Sequence, residues 1–262
     1  MLFGGGCSGL VDAPRLLARQ DARARPASNR PRRPRRRELP GGVGAYLRTR
    51  DLSTNGAEPL FTIASDGVTL NLNGHTLSGP GQKTGVGILV RGVSGTRLSG
   101  GRIASFGTAV QVEDAQNVVV DGIQIEGNDL GGPPPAIEIG VLILNSRGVV
   151  VTENVVTGTF LGVFVRGAGS GGNRIFANTL TGGANGQLGI CYNPAPGLSD
   201  WPSGDLVYQN VVSRWNVGIQ TSDASAGNVF RENAIAYFDT DVDERTDGSN
   251  IFSENDAVQI AP

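Results

Sequence analysis

The chain has 262 residues, room for one large domain or two small ones, and its formal net charge is −2. No stretch reaches the roughly 18 apolar residues that a membrane-spanning helix needs. Forty glycines, with abundant Asn, Val and Ile and a single lysine, Lys83, point to β-structure rich in turns.

The small net charge hides a split. Residues 1–50 carry twelve arginines against three acids, while residues 51–262 carry ten basic residues against twenty-one acids. The Arg- and Pro-rich run Ala22–Leu39 has almost nothing to bury and reads as disordered. Residues 1–50 are therefore expected to be a basic leader, and residues 51–262 the folded domain. The start "MLFGGGCSG" lacks the basic opening and apolar stretch of a secretory signal, and the arginine runs at 32–33 and 35–37 lack the apolar segment of a twin-arginine signal. A basic tail can bind nucleic acid or anionic lipid without specificity. A disordered leader outweighs that reading, and no specific nucleic-acid partner is expected. Cys7 and Cys191 fall in different segments and form no disulfide framework, so Cys191, inside "GICYN", reads as a free thiol.

From residue 65 onward the sequence repeats. The unit is an apolar residue, two variable ones, a turn former, one variable residue and another apolar one. It reads "LNGHTL" (72–77), "LSGGRI" (98–103), "VDGIQI" (120–125), "VTENVV" (151–156), "IFANTL" (175–180), "VYQNVV" (207–212) and "FRENAI" (230–235), fading in "FSENDA" (252–257). The fourth positions are His75, Gly101, Ile123, Asn154, Asn178, Asn210, Asn233 and Asn255, and four of their seven spacings are 22 to 24 residues. A second element follows each first one, a small residue and then alternating apolar positions, beginning at Gly87, Ala109, Gly140, Gly162, Gly189, Gly218 and Asp241. Short strands of this kind cannot each bury a face alone, but stacked in register they can.

On these repeats the chain, over roughly residues 55–258, resembles the right-handed parallel β-helix of the pectate-lyase-like superfamily. The resemblance implies an all-β, single-stranded parallel β-helix of about eight coils, with three short strands per coil and asparagines stacked as an internal ladder. It also implies an extracellular or periplasmic location and a monomer. Copper-binding periplasmic relatives of this fold are a further resemblance, although one His, one Met and two distant Cys offer few soft-metal ligands. His75 occupies the slot that five later coils fill with Asn. That slot is expected to need a left-handed backbone conformation, with Gly122 taking it where Ile123 stands. His75 thus reads as turn structure.

In the resembled family the substrate groove follows the outer face of the strand that here begins Gly-Ile/Val. Alternation gives one outward row of Leu89, Gln111, Leu142, Phe164, Cys191, Gln220 and Asp243, and a second of Arg91, Glu113, Leu144, Arg166, Asn193, Ser222 and Arg245. Two long loops, Glu126–Ile139 and Asn193–Asp205, flank this strand from opposite sides. Trp201 lies in the second loop and Trp215 just before the next groove strand. With Phe164, Asn193 and Gln220, these are the expected glycan contacts. A solvated sheet face, with a Trp covering the barrel wall, is the plainer alternative.

Asp239, Asp241 and Asp243 alternate on one strand, about 7 Å between neighbours. This suits a Ca²⁺ site or, at that separation, an inverting glycosidase, against a plain acidic edge. The resemblance implies polysaccharide lyase or epimerase chemistry, with Arg166 as base, Glu113 beside it, Lys83 as a second candidate and Ca²⁺ neutralising the sugar carboxylate. Neither the Asp-Pro-His-Glu motif of alginate epimerases nor the paired aspartates of polygalacturonases occurs. Arginine also resists deprotonation. A non-catalytic glycan-binding module and a structural stalk are the alternatives.

Overall fold

The computed structural model describes residues 37–38, 44–81, 83–129, 138–193, 202–221, 225–244 and 249–259. All lie in one unit, Pro34–Pro262. The leader as far as residue 36, the loop residues 130–137 and 194–201, and Ser222 and Arg245 lie outside the described residues.

The described residues contain β-strands and no helix, and every strand pairing is parallel. The strands stack as a β-solenoid of about eight turns. Three sets recur. The groove strands include Val86–Arg91, Thr108–Glu113, Ile139–Leu144, Leu161–Arg166 and Leu188–Asn193. The second set runs from Gly44–Leu47 to Ile251–Ser253 in a nine-stranded sheet. The third set includes Gln124–Glu126, Val155–Thr157 and Thr179–Thr181. In the last coils the third strand runs straight into the groove strand as Val211–Thr221 and Ala234–Glu244, which joins these two sets into one sixteen-stranded sheet.

Alternation produces the core. Middle residues of successive strands, such as Leu98, Val120, Val151, Ile175, Val207 and Phe230, stack inward and are fully buried. The small residue of each groove strand has a steric cause. A Cβ added at Gly87, Gly140, Gly162, Gly189 or Gly218 would lie 2.4–2.7 Å from a carbonyl oxygen of the next coil. Outside the barrel, three arginines of one coil pair with acids of the next: Arg91 with Glu113, Arg97 with Asp121 and Arg102 with Glu126.

The asparagine ladder is continuous. The Asn154 main-chain N–H and side-chain amide both donate to Asn178 Oδ1 at 3.0 Å, and Asn178 donates likewise to Asn210, Asn210 to Asn233 and Asn233 to Asn255. Each amide nitrogen also reaches a buried carbonyl, as Asn210 reaches Ile175 at 2.9 Å. The ladder thus satisfies turn groups that have no access to water. The left-handed conformation expected at the ladder slot is found there at Gly101, and in every coil it falls one residue earlier, at Gly74, Gly100, Gly122, Glu153, Ala177, Gln209, Glu232 and Glu254. Gly122 behaves as expected. Elsewhere Asn fills its slot for its amide and not for its backbone tolerance.

The β-helix also begins earlier than residue 51. Arg37–Glu38 pairs with Phe61–Thr62, and Gly44–Leu47 pairs with Val68–Asn71. Adding a strand to the end of a stack uses backbone groups, which composition does not report.

Candidate functional site

The groove face divides into an apolar middle and polar flanks. In the middle, Phe164 and Cys191 point outward as alternation predicts, yet they are only 7 % and 1 % exposed. They form a second apolar cluster with Ile139 and Leu161, against which Leu142, Phe160 and Leu188 pack. Phe164 is therefore not an open platform for a sugar ring. Arg166 lies beside it, its guanidinium carbon 5.8 Å from the ring centroid. Arg166 Nε is buried and makes no hydrogen bond.

On one flank, Arg91 donates through Nη2 and Nε to Glu113 Oε2 at 2.7 and 3.0 Å, and Gln111 Nε2 donates to the same oxygen at 3.0 Å. On the other, Gln220 Nε2 donates to Asp243 Oδ2 at 2.8 Å, and Cys191 Sγ lies 3.8 Å from Gln220 Oε1. The row Glu113, Leu144, Arg166, Asn193 is in register as expected. That register separates Glu113 from Arg166 by two strand spacings, roughly 10 Å. Lys83 sits in the turn before Val86–Arg91, at the opposite end of the strand from Arg91, roughly 17 Å along it. The three proposed catalytic residues do not converge.

Trp215 is a correction. It is fully buried, and its Nε1 donates to the Leu180 carbonyl at 3.2 Å. The chain bends there: register shifts on both sides of Trp215, with Arg214 left-handed, turn the ring into the barrel. Trp201 lies outside the described residues, and the backbone of Asn193 ends its groove strand opposite Arg166.

The aspartate strand is a second correction. Between Trp215↔Tyr237 and Val217↔Thr240 the strand carrying the aspartates has one residue more than its partner. That bulge breaks the alternation between Asp239 and Asp241, and Asp243 is engaged by Gln220. Among the described residues no three His, Cys, Asp or Glu side chains form a group able to hold a metal ion. The three aspartates therefore do not come together as a ligand set.

Inside the barrel lies a group that the strand pattern did not reveal. A second ladder runs Asn173, Asp205, Asn228, Asn250: Asn173 N donates to Asp205 Oδ1 at 2.8 Å, Asp205 N to Asn228 Oδ1 at 2.9 Å, and Asn228 N to Asn250 Oδ1 at 3.0 Å. Burial pushes the Asp205 carboxyl up to about 6, against hydrogen bonds from Asn173 that pull it down. Burial, and then the Asp205 charge, raise the nearby Tyr192 phenol, whose hydroxyl lacks a hydrogen bond of good geometry. The signal was present in the sequence, because each member lies five residues before an asparagine of the first ladder. His75 sits in its turn with Nδ1 3.1 Å from Asp51 Oδ1. The main-chain N–H of Thr76, and then the imidazole, hold the Asp51 carboxyl below its usual range.

Copper fits the described residues no better than calcium. His75 is spent on Asp51, Cys191 is buried far along the barrel, and Met1 and Cys7 lie outside the described residues. Among solved structures, the chain is similar to the enzymatically active domain of bacteriophage CBA120 tailspike protein 2, at 12 % identity and a TM-score of 0.51. That likeness covers 86 % of this chain and 38 % of the tailspike chain. It is also similar to GH136 lacto-N-biosidase from Eubacterium ramulus, at 11 % identity and a TM-score of 0.50, over 82 % of this chain and 44 % of that one. The chain thus spans less than half the length of either, and at these identities the likeness is one of fold. No curated protein matches the chain. The family described as periplasmic copper-binding protein (NosD) matches residues 62–258, about three quarters of the chain, and to that family of parallel β-helices the chain belongs.

Proposed function

We propose that the protein is a carbohydrate-active β-helix of the periplasm or cell exterior that binds a glycan across its groove face. The observation that carries this reading is Arg166. Its Nε is buried without a hydrogen bond, at the edge of an apolar patch whose flanks carry Gln111, Glu113, Gln220 and Asp243. Nε itself is closed to a ligand, but Arg166 is partly exposed at the end of its strand, and a guanidinium has further N–H donors for a sugar hydroxyl or carboxylate. The amide and carboxylate flanks suit further hydroxyls. The name of the lacto-N-biosidase supports a glycan ligand for this fold, and the family supports a periplasmic setting.

Binding is favoured over the lyase or epimerase reading, because a base and a charge-neutralising group must meet at one sugar, and Arg166, Glu113 and Lys83 stand apart. The test incubates the full chain with a panel of polysaccharides, with and without calcium. Binding is followed by calorimetry, and turnover by new reducing ends and the absorbance of unsaturated sugars. The expected outcome is saturable binding that Arg166→Ala weakens by roughly tenfold or more, without turnover. Binding that is indifferent to Arg166→Ala sinks the assignment of the site. Calcium-dependent unsaturated products restore the lyase reading.

A further inference from the structure

The groove face carries one polar device twice. Gln111 Nε2 donates to Glu113 Oε2 at 3.0 Å, and Gln220 Nε2 donates to Asp243 Oδ2 at 2.8 Å. In each pair the amide nitrogen is spent on a carboxylate, so the amide oxygen stands ready to accept from a ligand hydroxyl. At Gln220 that oxygen has the Cys191 thiol at 3.8 Å, a weak donor that a hydroxyl outcompetes. Both glutamines and both acids are partly exposed. Each amide is thus held in place before a ligand arrives, which lowers the cost of binding one.

Register fixes the distance between the two pairs. Gln111, Leu142, Phe164, Cys191 and Gln220 follow one another on adjoining strands. Gln111 and Gln220 therefore stand four strand spacings apart, roughly 19 Å. Between the pairs, this row and the next, Leu144, Arg166 and Asn193, hold no acid, and Arg166 is their one charged residue.

The charges choose the class of ligand. Glu113 and Asp243 repel a carboxylate at either end of the stretch, and Arg91 already spends its charge on Glu113 at 2.7 Å. A glycan with an acid on every sugar is therefore disfavoured, and a single acid is matched only opposite Arg166. An extended pyranose chain lying along the barrel advances by about one coil spacing per sugar.

We propose that the groove selects a neutral oligosaccharide of about five sugars, long enough to engage both glutamine–carboxylate pairs at once. This rests on the glycan-binding reading above and adds length and charge to it. The apolar stretch offers a sugar few hydrogen bonds, so a fragment that reaches one pair forfeits the other. Joining both contacts in one chain raises affinity well beyond either alone.

The test titrates the full chain by calorimetry with fragments, from disaccharide to octasaccharide, of the polysaccharide that binds best in the panel above. Oligogalacturonates of the same lengths form the charged series. Affinity should climb by roughly tenfold or more between trisaccharide and hexasaccharide and then level off. Gln111→Leu and Gln220→Leu should each remove most of that climb without lowering the melting temperature. Affinity that levels off at the trisaccharide, a climb that survives both variants, or tighter binding of the oligogalacturonates overturns this inference and leaves the glycan reading standing. A panel without saturable binding overturns both.

Discussion

Replacing Asp205 by Asn should stabilise the protein, and the gain should depend on pH in a fixed direction. Asp205 is 1 % exposed in a ladder whose other members, Asn173, Asn228 and Asn250, are neutral. Its carboxyl rises from an ordinary 3.8 to about 6, chiefly because burial penalises the charged form. An acid with a raised folded-state pKa holds its proton more tightly folded than unfolded. Below about pH 4 both states are protonated and there is no penalty. From about pH 4 to about pH 6 the unfolded chain ionises first, so stability falls, and above that range the loss is complete at roughly 3 kcal/mol. Asparagine keeps the oxygen that accepts from Asn173 N at 2.8 Å. The other oxygen, which accepts from Asn173 Nδ2 at 3.1 Å, becomes the amide, so the kept oxygen must take both bonds, as Asn178 Oδ1 does from Asn154 in the first ladder. Urea unfolding of both proteins between about pH 4 and pH 8 checks this. The Asp205→Asn advantage should be small at the acid end and reach roughly 3 kcal/mol at the neutral end. A difference that stays constant with pH, or a variant less stable at pH 8, would refute the account of Asp205 as a charge buried at a cost.

Four further outcomes test the fold and its corrections. Gly162→Ala places a Cβ 2.4 Å from the Gly189 carbonyl and should cost roughly 1–3 kcal/mol, read by thermal melting. Gly74→Ala meets open space and should cost only the strain of its left-handed φ of 75°, about 1–2 kcal/mol. Trp215→Ala should cost about 3–5 kcal/mol as a core truncation. In a Trp201→Phe background, acrylamide should leave the Trp215 emission almost unquenched, whereas a surface sugar platform would be quenched freely.

The solenoid was legible because its forces repeat. Each later coil uses a turn amide at the same place, so Asn recurs at 154, 178, 210, 233 and 255. Each groove strand must pass close to its neighbour, so Gly recurs at 140, 162, 189 and 218. The backbone detail was less legible. The ladder residue itself was expected to be left-handed, whereas Glu153, Ala177, Gln209, Glu232 and Glu254, none of them Gly, Asn or Asp, carry that conformation. Those residues accept it because the ladder amides beside them fix the turn, and a local preference scale has no access to that tertiary cause.

The candidate site was less legible because periodicity reports where a side chain points and not what covers it. Phe164, Cys191 and Gln220 all face outward in register, yet Phe164 and Cys191 are covered while Gln220 reaches Asp243. A packed outer cluster of Phe160, Leu161 and Leu188 makes the difference, and those residues precede the alternating run from which the row was read. The same limit explains Trp215 and Asp239. Two opposite register shifts within five residues cancel, so the strand regains its phase by Val217 and Thr240 while the residues between them turn to other directions. Where every coil obeys one rule, an exception is informative: Asp205 among asparagines and Asp241 among glycines each place a carboxylate where the repeat asks for none. At these two positions the repeat stops accounting for the residue.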